Sequence, residues 1–144
     1  MQINYQPAGS SSTTFANLLV DEAAGGVVLD FKPKGVISVQ RDPLAVTTGA
    51  TNSTFRQPMG NVTQIIPLVV QQFYPTRAAA LAAINTVISA LLTVKNDFQI
   101  CEPSGSPVLY YKNAVCASLD ADLTGSTVQF RLTLETDLVK TSYP

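Results

Sequence analysis

A chain of 144 residues with a formal net charge of −1 is long enough to bury one core without disulfide or metal staples, and a single domain spanning 1–144 is expected. Only 13% of the residues are charged, about half of the roughly 25% usual in soluble domains. The chain therefore lacks the field that recruits nucleic acid or an anionic membrane, and its surface is poorly defended against association. The nine basic residues are scattered, with no run carrying aromatics between them, and no stretch reaches the ~18 apolar residues of a membrane span. Neither sequence-specific nucleic-acid binding nor membrane insertion is expected.

Residues 1–15 are polar and rich in Ser and Thr, which predicts an extended N-terminal arm rather than core. They carry neither a basic nor an apolar leader region, so no secretory signal is expected and synthesis in a cytoplasm follows. Phe15–Val20 is a short apolar run of undecided type. After Gly25-Gly26, Val27–Phe31 predicts a strand. Pro33 and Gly35 bracket a turn, and Val36–Gln40 alternates as a strand does. Arg41–Gly60 is low in charge and rich in Thr, Gly, Ala and Ser. It predicts a long loop or hairpin used for contacts, because its β-branched content suits extended backbone.

Asn61–Phe73 is the strongest buried-strand candidate, with Pro67 implying an edge position or a bulge. Thr76 is a natural N-cap for a helix over Arg77–Leu92. Its stripe of Leu81, Ile84, Ile88 and Leu91 is expected to lie on a sheet. Beyond it, Asp97–Cys101 and Val108–Tyr111 flank a turn at Glu102–Pro107, Ala114–Leu119 is a strand and Asp120–Gly125 a turn. Thr127–Glu135 alternates Val128, Phe130, Leu132 and Leu134 with polar residues, the pattern of a half-solvated antiparallel strand. Thr136–Pro144 is read as a tail that frays or reaches a neighbour. The expected fold is mainly β with one packed helix (α+β): an antiparallel sandwich or barrel-like sheet of six to eight strands.

The residues offer little chemistry. Without histidine the commonest general base is missing, and two cysteines without histidine do not make a zinc site unaided. Cys101 and Cys116 are read as small buried hydrophobes, with a cross-hairpin pair as the other possibility. Asp120 and Asp122 have a calcium-like spacing, but Leu123 and Thr124 stand where oxygen ligands and glycine belong. Gly25-Gly26 and Gly105 lack the context of a phosphate loop. Asn52-Ser53-Thr54 and Asn61-Val62-Thr63 match the glycosylation pattern as chance does in a Thr-rich chain. Tyr110-Tyr111 can stack a sugar or base, but one of two adjacent strand tyrosines ordinarily packs inward. No catalytic, metal or cofactor residue is assigned, and no enzyme activity or cofactor is expected.

The segments RQPMGNVTQIIPLVV, TRAAALAAI and GSTVQFRLTLETDLV, in that order, resemble the small structural tail proteins of tailed bacteriophages, of the tube, distal-tail and head-to-tail connector type. The resemblance implies a β-sandwich or barrel with one helix laid against it, here Arg77–Leu92. It also implies an insertion loop, here Arg41–Gly60, that enters the next ring. It further implies a virion protein made in the host cytoplasm, with copies of itself in a ring (hexameric or trimeric) and other tail or neck proteins as partners. Many tube subunits line a DNA passage with acidic residues. The scattered acidic set here departs from that and favours an outer or terminal ring. The leading reading is a non-enzymatic virion subunit that assembles into a ring or tube of a phage tail or neck. The alternative is a ligand- or carbohydrate-binding β module.

Overall fold

The computed structural model describes residues 1–40, 46–48, 53–55, 59–102 and 106–143, with backbone alone at 36–40, 46–48, 53–55 and 59–62. In chain order the strands are β1 Gln2–Pro7, β2 Asn17–Val20, β3 Val27–Phe31, β4 Lys34–Gln40, β5 Val46–Thr48, β6 Ser53–Phe55 and β7 Met59–Phe73. The helix α1, Arg77–Thr93, comes next. After it come β8 Asn96–Cys101, β9 Pro107–Thr124, β10 Thr127–Thr136 and β11 Leu138–Lys140. The fold is antiparallel β with one helix, as the alternation predicts. The order is β2-β1-β8-β9-β10-β7-β3, with β11 on β9 and β4 on β7, while β5 and β6 pair with each other.

Two sheets share β9. Its first half pairs with β8 and β11, and its second half, from Val115, pairs with β10. We call the β2-β1-β8-β9-β11 portion sheet A and the β9-β10-β7-β3/β4 portion sheet B. The strand turns the corner at Asn113, which has a φ of 52°, a left-handed value that Asn tolerates better than most residues. One 18-residue strand thus replaces the two strands and the Asp120–Gly125 turn expected from sequence. The β9–β10 turn is only Gly125-Ser126, with Gly125 at a φ of 64°, where a Cβ would be strained.

The N-terminal arm expected at 1–15 is corrected by the structure. Gln2–Pro7 lies inside sheet A, paired with both β2 and β8, and Ile3 and Tyr5 are buried in the core. Within the tail expected from Thr136 onward, Leu138–Lys140 is held as β11 against Tyr110–Lys112 of β9. Pro67 lies at neither an edge nor a bulge, as β7 runs between β10 and the β3/β4 pair with unbroken register on β10. Its carbonyl accepts from the Lys32 N–H, so its nitrogen faces the break between β3 and β4. A ladder donor is not required there, which is why proline is tolerated in an interior strand.

Within 41–60, Val46–Thr48 and Ser53–Phe55 form a short antiparallel pair. They lie beyond the Gln40↔Met59 end of the β4–β7 ladder. Positions 41–45, 49–52 and 56–58 of the expected contact loop lie outside the described residues.

The Thr76 side chain accepts from the Ala79 N–H and caps α1. At the other end the buried Asn96 side chain donates to the Ala90 and Val94 carbonyls, satisfying acceptors the helix leaves open. The buried line of α1 is Ala80, Val87 and Leu91, with Ile84 packed beside it. Leu81, expected in the core, is 48% exposed. A helix this rich in alanine has a weak apolar contrast, and Ala80 lets the backbone approach closely where Leu81 would hold it off. The helix shares one core cluster with Ile3, Tyr5, Phe98 and Ile100 of sheet A and Ile66, Val70, Phe130 and Leu132 of sheet B.

Gly26 follows a single 3₁₀ turn, Glu22–Ala24, where the chain passes under β7. A Cβ there would lie 2.2 Å from the Gln72 Oε1 and 2.7 Å from the Asp21 carbonyl oxygen. The buried Gln72 cannot retreat freely, because its Oε1 accepts the Asp21 N–H at 2.9 Å. Gly26→Ala is therefore expected to cost about 1–3 kcal/mol, the range for overpacking a filled site. In Gly35→Ala the new methyl meets only the Gln64 Nε2 at 3.8 Å, and the change stays within about 1 kcal/mol of wild type. Urea midpoints at constant slope test the contrast.

Candidate assembly surface

Two regions outside the core carry unusual side chains, and the first is the outer side of sheet A. Asn4 and Gln6 of β1 point away from the core yet are buried, as is Asp97 of β8. They form a cross-strand polar layer: Asn4 donates to the Gln99 Oε1 at 2.8 Å, and Gln6 donates to the Ser12 carbonyl and the Tyr143 hydroxyl. Asp97 accepts the Asn113 N–H at 2.9 Å on one oxygen and the Tyr143 O–H at 3.1 Å on the other. Phe15, Tyr110 and Tyr143 close over this layer with ring centroids 5.0–6.0 Å apart. The Lys112 ammonium stands 5.0 Å from the Tyr143 ring centre, within cation–π range. The segment after β1 and the C-terminal tail are thus fastened to the same face. Burial, with the Asp97 carboxylate as the next cause, pushes the Tyr143 phenol above its ordinary range.

Position in the fold disposes of several candidates read from the sequence. Tyr110 and Tyr111 are both buried: Tyr111 faces the core against Phe31, while Tyr110 faces outward but is roofed by Phe15 and Tyr143. Neither offers an open stacking platform, which weakens the carbohydrate-module alternative. Both cysteines are free. Cys101 sits opposite Gln2 and Pro107 in sheet A, and Cys116 opposite Leu134 in sheet B, so the two do not face one another across the hairpin. Burial raises both thiols above their ordinary range. Asp120 and Asp122 lie on the regular ladder of β9 rather than in a loop, and no group of three or more metal-ligating side chains occurs among the described residues. Asn61–Thr63 lies within the paired length of β7, against Ser38–Val36.

The second region is the outward face of sheet B. On β7 the even-numbered Ile66, Leu68, Val70 and Gln72 are buried, so Ile65, Pro67, Val69, Gln71 and Phe73 look outward. Four of these five are apolar. Beside them on β3 stand Val27 and Leu29, the latter at a bulge between Val28 and Asp30. Val27, Leu29 and Phe73 are 47%, 51% and 46% exposed. The neighbouring strands are polar on the same face: Gln129 and Arg131 on β10 stand opposite Asp122 and Asp120 on β9. A shallow depression of about 280 Å³ lies among Gln71, Gln129, Asp122, Thr124 and Thr127. The face is therefore divided lengthwise, apolar along β7 with Val27 and Leu29 beside it and polar over β9 and β10, while Asp30 of β3 and Lys34 of β4 stand opposite Val69 and Ile65 on its other margin.

A third exposed feature belongs to α1. Leu81 and Leu92 are 11 positions apart, three helical turns within about 20°, and both are exposed. Val94, just past the helix, is exposed too. Sequence reasoning missed this second stripe by assigning Leu81 to the core. The signal was present in the spacing Leu81, Ile88, Leu92, which lies beside the buried line rather than on it. No described helix is long and apolar enough to cross a membrane.

No family model matches the chain, and no curated protein matches it. Among solved structures it is similar to the anti-feeding prophage cap, the AFP tube terminating cap, seen by cryo-EM. Sequence identity is 15%, the match covers 97% of this chain and 88% of that chain, and the TM-score is 0.32. A likeness of that degree carries no argument about function, which rests on the chain's own surfaces.

The Tyr143 latch is testable. Tyr143→Phe keeps the aromatic packing but leaves the buried Asp97 carboxylate one donor short, and is expected to cost about 1–3 kcal/mol. The pH dependence has a definite sign. A phenol raised by folding ionises first in the unfolded chain, so its contribution is complete below the unfolded value near 10 and is lost as pH rises through and above it. Urea unfolding from neutral to strongly alkaline pH should show wild type losing stability more steeply than Tyr143→Phe.

Proposed function

We propose that this chain is a non-enzymatic structural subunit that assembles with copies of itself, as a ring or tube component of a phage-tail-like virion. The observation that carries the reading is the apolar half of the outward face of sheet B. There an interior strand directs Ile65, Pro67, Val69 and Phe73 away from the core, beside the exposed Val27 and Leu29. Scattered exposed hydrophobes are ordinary on a monomer, whereas a contiguous row marks a surface that something covers. The low charge of the whole chain agrees with this, since the centres of interfaces are depleted in charged residues.

Arg41–Gly60 fits the same reading. It follows β4 in the chain and carries the short β5–β6 pair, and we assign it the role of reaching an adjacent ring. The reach that composition suggests for 1–15 is not available, because those residues are held in sheet A and its cover. Other tail or neck proteins are the expected further partners, and the virion is the expected location.

Light scattering across a concentration series, with negative-stain imaging of the large species, tests the assembly. The expected result is closed rings or stacked tubes. Leu29→Asp with Phe73→Ser should lower the assembled fraction and leave the far-ultraviolet circular dichroism of the monomer unchanged. Replacing residues 41–58 by a two-residue turn should leave the urea midpoint within about 1 kcal/mol of wild type, as expected of a surface loop, while stacking is lost. Loss of folding in that variant would sink the assignment of Arg41–Gly60 as an interface element.

A further inference from the structure

The outward face of sheet B needs an occupant, and the same molecule carries a surface that matches it. One flank of α1 presents the exposed Leu81 and Leu92 with the half-buried Ile88 between them in one line, with Arg77 at its start and Lys95 just beyond its end. The sequence from Pro43 to Asn96 contains no Asp or Glu, so this side is apolar and carries only positive charge. The polar half of sheet B holds Asp120 and Asp122, both exposed, beside Arg131. Asp30 stands on the far side of the apolar row and is paired with Lys32 at 3.7 Å. Arg77, Lys95, Asp120 and Asp122 form no ion pair among the described residues.

The dimensions also agree. From Arg77 to Thr93 the helix runs about 24 Å at 1.5 Å per residue. From Ile65 to Phe73 the outward row of β7 runs roughly 26 Å at about 3.3 Å per residue. Because Ala80, Val87 and Leu91 share the core with the inward side chains of β7 and β10, α1 lies on the inner side of sheet B and its exposed flank does not reach the outward face of that sheet. One chain cannot bring them together, but two chains can.

We propose that the exposed side of α1 in one copy docks across the outward face of sheet B in the next, a head-to-tail contact between two copies of this chain. Resting on the assembly reading above, it adds the identity of both halves of the interface. Leu81, Ile88 and Leu92 cover the apolar row of β7 with Val27 and Leu29 beside it, and one basic end of the helix line meets Asp120 and Asp122, which stand two residues apart on β9. A contact between two different surfaces propagates and closes into a ring when the rotation between copies allows, whereas a contact of one surface with itself stops at a dimer. The charges set register and orientation more than affinity.

The test uses two full-length variants, each with one surface spoiled: Leu81→Glu with Leu92→Glu on the helix, and Leu29→Glu with Phe73→Glu on the sheet. All four positions are exposed, and circular dichroism checks the fold of each variant. By light scattering each variant alone is expected to be monomeric. Their equimolar mixture is expected to give a dimer of one copy of each and nothing larger, since only one competent pair of surfaces remains. Arg77→Glu with Lys95→Glu should weaken assembly at least about tenfold, the scale of 1.4 kcal/mol, and Asp120→Lys with Asp122→Lys in the same chain should restore part of it. If wild type assembles while the mixture stays monomeric, or while either variant assembles as wild type does, the docking mode is overturned and the assembly reading stands. If wild type remains a monomer to its solubility limit, both fall.

Discussion

The structure depends on a single strand changing sheets. β9 leaves sheet A and enters sheet B at Asn113, and that corner leaves a backbone donor without a ladder partner. The Asp97 carboxylate accepts that N–H and so supplies the partner that the ladder does not. Asp97 in turn is buried, and an ionised carboxylate is tolerated there only with partners on its oxygens. Tyr143 supplies the second donor. The corner is therefore served by the buried acid, and the acid by the C-terminal tail.

From that corner the remaining arrangement follows. Turning β9 brings the inward faces of the two sheets over a common core, with α1 closing it through Ala80, Val87 and Leu91. β11 continues along β9 after β10 ends, and the Thr136 hydroxyl donates to the Lys112 carbonyl and accepts the Leu138 N–H at the same corner. The tail then crosses the outer side of sheet A, where Tyr143 packs on Phe15 and Tyr110. Sheet A is thus covered on both sides by its own chain. Sheet B is covered on one side only, and the asymmetry leaves its outward face as the surface available to another copy.

The assembly reading gains its physical content from this asymmetry. A sheet with one solvated face ordinarily shows polar residues there, and β10 obeys that rule with Gln129, Arg131, Thr133 and Glu135. β7 does not, for Ile65, Pro67 and Val69 occupy its outward positions. An apolar stretch on both faces of a strand is ordinarily read as full burial, and within one copy only one of those faces is buried. That discrepancy is resolved if a neighbour covers the other.

Alternation alone determined much of this protein. Val128 to Leu134 faces the core as the period of two requires, Thr76 caps the helix through its hydroxyl, and the β class with one helix follows from the order of patterns. The same alternation was present in Gln2–Gln6, where Ile3 and Tyr5 are core, but the polar partners disguised it as an arm. Only tertiary structure could decide that Gln6 and Asp97 are sealed beneath Tyr143, which lies 46 positions from Asp97 in sequence, because burial of a polar face depends on what crosses it. Tertiary structure also decided that Tyr110 is roofed and that Pro67 faces a gap between two strands. It decided too that α1 turns Ala80 inward and Leu81 outward. Local sequence sets which side chains share a face, and the packing of distant segments sets which faces meet water.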